Sequence, residues 1–175
     1  LICSGTSAHA SLPENGNTPI TALFELLSYI DFDSECTEFA DSLKALFPHG
    51  KYNGEALGVD MSDMLGRLTL TLDVVRFENG KFDGCFDTRT PMSATKENCA
   101  DVIAASLRKH GFEIENTKMR EAHYVDENSD FIKTLLRTYE DYSGDKGECI
   151  SMGGGTYVHD IENGVAFGAI SRDTV

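Results

Sequence analysis

The chain has 175 residues, 29 acidic and 15 basic, and a formal net charge of −14. That length holds one solid core, or one domain and part of a second. The acidity excludes nucleic acid and anionic membrane surfaces as partners, since both recruit clustered Lys and Arg, and it fits a cytoplasmic protein kept soluble by self-repulsion. No apolar run approaches a membrane span. The five cysteines (Cys3, Cys36, Cys85, Cys99 and Cys149) are scattered, odd in number and without a Cys-x-x-Cys pair, which fits reduced thiols rather than a disulfide framework or structural zinc.

Residue 1 is Leu, and 1–3 reads as a strand that starts inside a longer gene product. A small-residue stretch follows, with His9 among Ser7, Ala8, Ala10 and Ser11, then Pro13, Gly16 and Asn17. Thr18 and Pro19 suit an N-cap and first helical position, and Ile20, Leu23, Phe24, Leu27 and Ile30 recur at helical spacing. A second helix starts near Ser34, carries Phe39, Leu43, Leu46 and Phe47, and stops at Pro48-His49-Gly50. Residues 50–65 read as loop. Strict alternation over 67–74, a turn at Asn79-Gly80 and a return over 81–89 predict a hairpin, which Pro91 ends. Ser93 or Thr95 caps a third helix with Cys99, Val102, Ile103 and Leu107 on its buried face, and Gly111 ends it. Phe112 opens a strand running towards Tyr124. The order β-α-(α)-β-β-α-β predicts an α+β fold of ferredoxin-like type, an antiparallel sheet with helices on one face, over residues 1–125. After the polar run at 126–130, residues 126–175 read as an amphipathic helix, a strand over 148–152, the run Gly153-Gly154-Gly155-Thr156 and a strand over 165–170. This tail is too small to hold a core alone and reads as the C-terminal piece of an α/β catalytic domain.

Three places invite chemistry. His9, among residues too small to bury it, is either a ligand-facing donor that can stabilise an oxyanion or a strand-end histidine satisfied by backbone. Arg89, fixed at a strand end ahead of Pro91, suits bidentate capture of a carboxylate or an ion pair with Asp87 or another of the many acids. Gly154, Gly155 and Thr156 offer exposed backbone N–H groups or a plain turn. The run is neither a P-loop nor a dinucleotide fingerprint. His49, His110, His123 and His159 show no metal-ligand spacing, and no Gly-x-Ser-x-Gly elbow is present.

Taken in order, Ser7-Ala8-His9-Ala10-Ser11 with Pro13, Gly16 and Asn17, then Phe86-Asp87-Thr88-Arg89-Thr90-Pro91, then Gly153-Gly154-Gly155-Thr156-Tyr157 with Gly164-Val165-Ala166-Phe167-Gly168, resemble the PepV-like dipeptidases. These are dinuclear-zinc metallopeptidases related to carnosinase, aminoacylase and carboxypeptidase G. The resemblance covers nearly the whole chain. It implies that residues 1–125 form a lid or dimerisation domain. His9 would stabilise the tetrahedral oxyanion, and Arg89 would hold a peptide's C-terminal carboxylate. Gly154, Gly155 and Thr156 would line the substrate end of the cleft.

The same resemblance implies two zinc ions in the intact enzyme, with ligands and a catalytic glutamate outside this chain, so that no metal ligand is assigned here. It implies a small peptide or dipeptide as substrate, the remainder of the catalytic domain as partner, and allows a homodimer. His159 stands where the family carries an arginine, which puts that arginine's role in doubt. The chain is thus read as a fragment of a cytoplasmic dipeptidase, inactive alone. The competing reading is a non-catalytic oligomerisation or regulatory domain.

Overall fold

The computed structural model describes residues 2–168. The chain divides into two compact units, Leu1–Ala122 and His123–Val175. Among the described residues, four α-helices and two small antiparallel sheets make an α+β protein, the class expected from the element pattern.

In the first unit, α1 (Pro19–Leu27) begins at proline, whose missing N–H costs nothing at a helix start. It ends a turn earlier than its apolar spacing suggests, and Ile30 is left 42% exposed. The next helix, α2 (Ser34–Leu46), is capped by Asp33, whose carboxylate accepts the Cys36 N–H at 2.9 Å. The connection that follows holds a two-stranded ladder, β1 (Ser62–Asp63) with β2 (Gly66–Arg67). The Asp63 carboxylate accepts the N–H groups of Leu65 (2.9 Å) and Ser93 (2.8 Å), tying this small hairpin to the segment before the third helix. Thr95 and Asn98 cap each other's backbone, opening a π-helical turn, Lys96–Ala100, that runs into α3 (Asp101–Lys109).

The hairpin β3 (Thr69–Glu78) with β4 (Lys81–Arg89) is the frame of the unit. Asn79 and Gly80 take φ of 53° and 74°, the left-handed pair that matches strand twist in a tight hairpin turn. Leu68, Leu70 and Leu72 are 0%, 5% and 4% exposed and meet Phe24, Leu43, Leu46, Phe47, Ile103 and Leu107 in one core. The alternation is not uniform along β3. The register shifts between Leu72 and Val74, so the core face passes from even to odd positions. Val75 then joins the core edge, while Val74 is 49% exposed. Beyond the bulge, Phe77 and Phe82 meet Phe39 at ring-centre distances of 5.9 and 5.4 Å.

The two outer strands of the expected sheet do not pair. Residues 2–5 enter no ladder, and residues 112–124 contribute side chains without strand pairing. Phe112 and Ile114 pack on the core, as does Met119. After Glu115 the sequence turns polar, and the alternation that would hold a register on one buried face is lost.

In the second unit, α4 (Asp130–Ser143) starts at Ser129, whose hydroxyl accepts the Ile132 N–H at 3.3 Å. Ile132, 6% exposed, is the one buried hydrophobic residue of this unit among the described residues. Residues 148–152 form no strand, and Ile150 and Met152 are 43% and 46% exposed. The last expected strand, 165–170, shows no pairing as far as Gly168, and Ala169 and Ile170 lie outside the described residues. A unit with so few buried apolar groups has nothing to fix strand pairing, since short strands hold only where a packed face repays their ordering.

Candidate functional site

His9 rides on a closed loop. Thr6 and Asn17 exchange both backbone hydrogen bonds at its neck, 3.1 Å from Thr6 N–H to Asn17 O and 2.8 Å in return. Two glycines permit that closeness. A Cβ on Gly5 would run into the Asn17 carbonyl and the Pro19 ring, and one on Gly16 would meet the Thr6 carbonyl oxygen at 2.8 Å and the Ala8 methyl at 2.9 Å. Inside the neck, the Leu12 N–H donates to His9 O at 2.9 Å and closes a turn, a single helical turn over Pro13–Asn15 follows, and Pro13 is buried. The imidazole itself is exposed, with Ser11 against its Nδ1: the hydroxyl oxygen lies at 2.8 Å and the Ser11 N–H donates at 3.2 Å.

The loop is fastened to the hairpin at one point. Thr69 Oγ1 donates to the Ala10 carbonyl at 2.7 Å, and Thr69 pairs directly with Arg89 across the ladder. Cross-strand partners in an antiparallel pair point to the same face. Arg89 therefore emerges on the face that the His9 loop covers, opposite the leucine-lined core face. Its guanidinium donates to the Asp87 carboxylate at 2.7 Å, with the two side chains 33% and 32% exposed. The ion pair considered as the alternative reading of Arg89 is thus present. Its two members are i and i+2 on one strand, so it also aims the guanidinium along the hairpin face. The fold brings the His9 loop and Arg89 to the same end of one hairpin, where an exposed ring nitrogen and a guanidinium can receive a carbonyl oxygen and a carboxylate.

Gly154, Gly155 and Thr156 belong to the second unit. A Cβ placed on Gly154 or Gly155 meets nothing within 4 Å, so their backbone faces open space. Thr156 O accepts the His159 N–H at 3.2 Å, beginning a chain of turns that reaches Gly164. His159 lies beside His123, with ring centres 5.7 Å apart, and His123 Nε2–H donates to Gly164 O at 2.6 Å. No sequence spacing signals that pairing, because the two histidines are remote along the chain.

Thr69 was not among the sequence-predicted site residues, yet it links the His9 loop to the strand pair that carries Arg89. The bond spans 59 residues, and a threonine on an alternating strand carries no local mark of it. Ser11 was legible in principle, because a serine two residues from a polar group commonly bonds back to it. Among the described residues, no three His, Cys, Asp or Glu side chains gather into a group that could hold a metal ion. These residues do not by themselves form the zinc centre that the family resemblance implies.

Comparison with known proteins places dipeptidase-named relatives along the whole chain. It is 28% identical over 178 aligned positions to the "Putative dipeptidase" of Staphylococcus haemolyticus, covering 99% of this chain. Identity is 29% to the protein of that name in Staphylococcus epidermidis and 30% to that in Staphylococcus aureus strain USA300, again over 99% of this chain. The chain spans 37% of the length of these relatives. No family model matches it. Among the described residues, no helix is long and apolar enough to cross a membrane.

Proposed function

We propose that this chain supplies the substrate-gripping part of a dipeptidase of the PepV-like kind, acting on small peptides in the cytoplasm. The observation that carries the reading is the Thr69 joint, which sets the His9 loop on the hairpin face from which Arg89 emerges. Along that face His9 donates a hydrogen bond to the oxygen of the scissile carbonyl as it gains negative charge. Arg89, aimed by Asp87, takes the C-terminal carboxylate of the peptide. The resemblance assigns Gly154, Gly155 and Thr156, in the second unit, a substrate-facing role of their own through backbone N–H groups. The two zinc ions and the proton-moving glutamate belong, in this reading, to other segments of the parent protein, and no step assigned to these residues runs through a metal. The names of relatives matched along 99% of the chain support the peptidase class.

The test is steady-state kinetics on the full-length gene product that carries this chain. His9→Ala is expected to lower kcat by about 10²–10³-fold, the usual loss for one oxyanion donor. Arg89→Ala is expected to raise KM for a dipeptide by about 10–100-fold, and to leave KM for the C-terminally amidated dipeptide nearly unchanged. Unaltered kinetics in both variants would favour the non-catalytic scaffold instead.

A further inference from the structure

The hydrogen bonds around His9 decide which of its nitrogens can act as a donor. The Ser11 backbone N–H lies 3.2 Å from Nδ1 and the Ser11 hydroxyl oxygen 2.8 Å from the same atom. A backbone N–H can only donate, so Nδ1 must offer its lone pair. The hydroxyl rotates freely and completes the arrangement by donating to Nδ1 as well. A neutral imidazole carries one ring proton, and with Nδ1 accepting, that proton sits on Nε2.

The segment that returns Ser11 over the ring is itself held. Leu12 N–H donates to His9 O at 2.9 Å, and Thr69 Oγ1 donates to Ala10 O at 2.7 Å. One bond lies on each side of the stretch that places Ser11. No partner holds Nε2 among the described residues, and the His9 side chain is exposed.

We infer that Ser11 is a positioning residue that holds neutral His9 with its proton on Nε2, so that a donor rather than a lone pair faces outward. This rests on the dipeptidase reading for the reaction it serves, because a lone pair facing a developing oxyanion would repel it. The tautomer itself is a property of the loop and can be measured without turnover.

The experiment uses the 175-residue chain labelled with ¹⁵N-histidine. Long-range ¹H–¹⁵N NMR at about pH 8, above the usual histidine range, reads which nitrogen carries the proton, with His9→Gln identifying the signals. The wild type is expected to show the Nε2–H form alone, and Ser11→Thr to keep it. Ser11→Ala loses the hydroxyl but keeps the backbone N–H at Nδ1, so it should lower the Nε2–H share without making Nδ1–H the main form. Ser11→Asp places a carboxylate acceptor at Nδ1 and should draw the proton there. A wild-type ring protonated on Nδ1 overturns the inference, as does an unchanged proton position in both Ser11→Ala and Ser11→Asp. The Ala variant alone decides the matter if the Asp variant does not fold.

In the full-length protein, Ser11→Asp should lower kcat at least tenfold with KM little changed, and Ser11→Thr should restore it. If the proton moves as expected while no variant hydrolyses dipeptides, wild type included, Ser11 keeps its role and the dipeptidase reading falls.

Discussion

The loop over residues 6–17 and the glycine run at 153–155 both surround a candidate substrate contact with small residues, but a methyl group added to each meets different surroundings. At Gly5 and Gly16 it strikes backbone, because two strands of the neck pass within hydrogen-bonding distance there. At Gly154 and Gly155 it meets nothing. The first loop uses glycine to allow internal closeness, and that closeness holds His9 in one presentation. In the second, glycine leaves backbone uncovered. The same residue type serves preorganisation in one loop and access in the other.

Substitutions can break this contrast, beginning with the largest effect. Gly5→Ala forces a side chain against the Asn17 carbonyl and the Pro19 ring, and is expected to cost about 3 kcal/mol, read as a fall of roughly 10 °C in the melting temperature of the chain. Thr69→Val keeps the strand but removes the tether to Ala10. It should cost about 1 kcal/mol and broaden the NMR signals of residues 9–11 while leaving those of the Asn79-Gly80 turn alone.

A third, weaker effect is acid sensitivity. Backbone N–H donors, Leu65 first and then Ser93, hold the Asp63 carboxyl below its ordinary value of 3.8. A depressed folded-state pKa adds stability above the unfolded value, and that stability is lost as pH falls through the folded pKa. Thermal melts from pH 5 downward should therefore decline less steeply in Asp63→Asn than in wild type. Gly154→Ala should change the melting temperature hardly at all, within about 0.5 kcal/mol of wild type. A large loss there would mean that the glycine run is built like the first loop, and the contrast would fall.

Much of the first unit was legible because its signals are local. Asn79-Gly80 between alternating runs announced the β3–β4 hairpin, Pro19 and Ser34 marked helix starts that the structure keeps, and of the two caps left open for the third helix, Ser93 and Thr95, the structure uses Thr95. The Arg89–Asp87 pair was one of the ion pairs that the sequence left open for Arg89. What stayed hidden depends on distant partners. The bulge beside Asp73 reverses the facing of β3 and leaves no break in the Thr-Leu-Thr-Leu alternation before it. Residues 112–124 had an opening apolar alternation, but strand pairing needs a partner edge, and a sequence shows one strand without showing whether the other arrives. For the site, His9 and Arg89 could be named one by one; that Thr69 joins them follows only from a contact across 59 residues.

The Thr69 joint also bears on the order in which the first unit assembles. The 6–17 neck and the β3–β4 turn each close over a short stretch of chain, where the entropic cost of bringing the ends together is low. The bond from Thr69 to Ala10 must wait for both, so we expect it to form late on the folding route and to open early under stress. Removing it should then raise the unfolding rate while leaving the folding rate nearly unchanged.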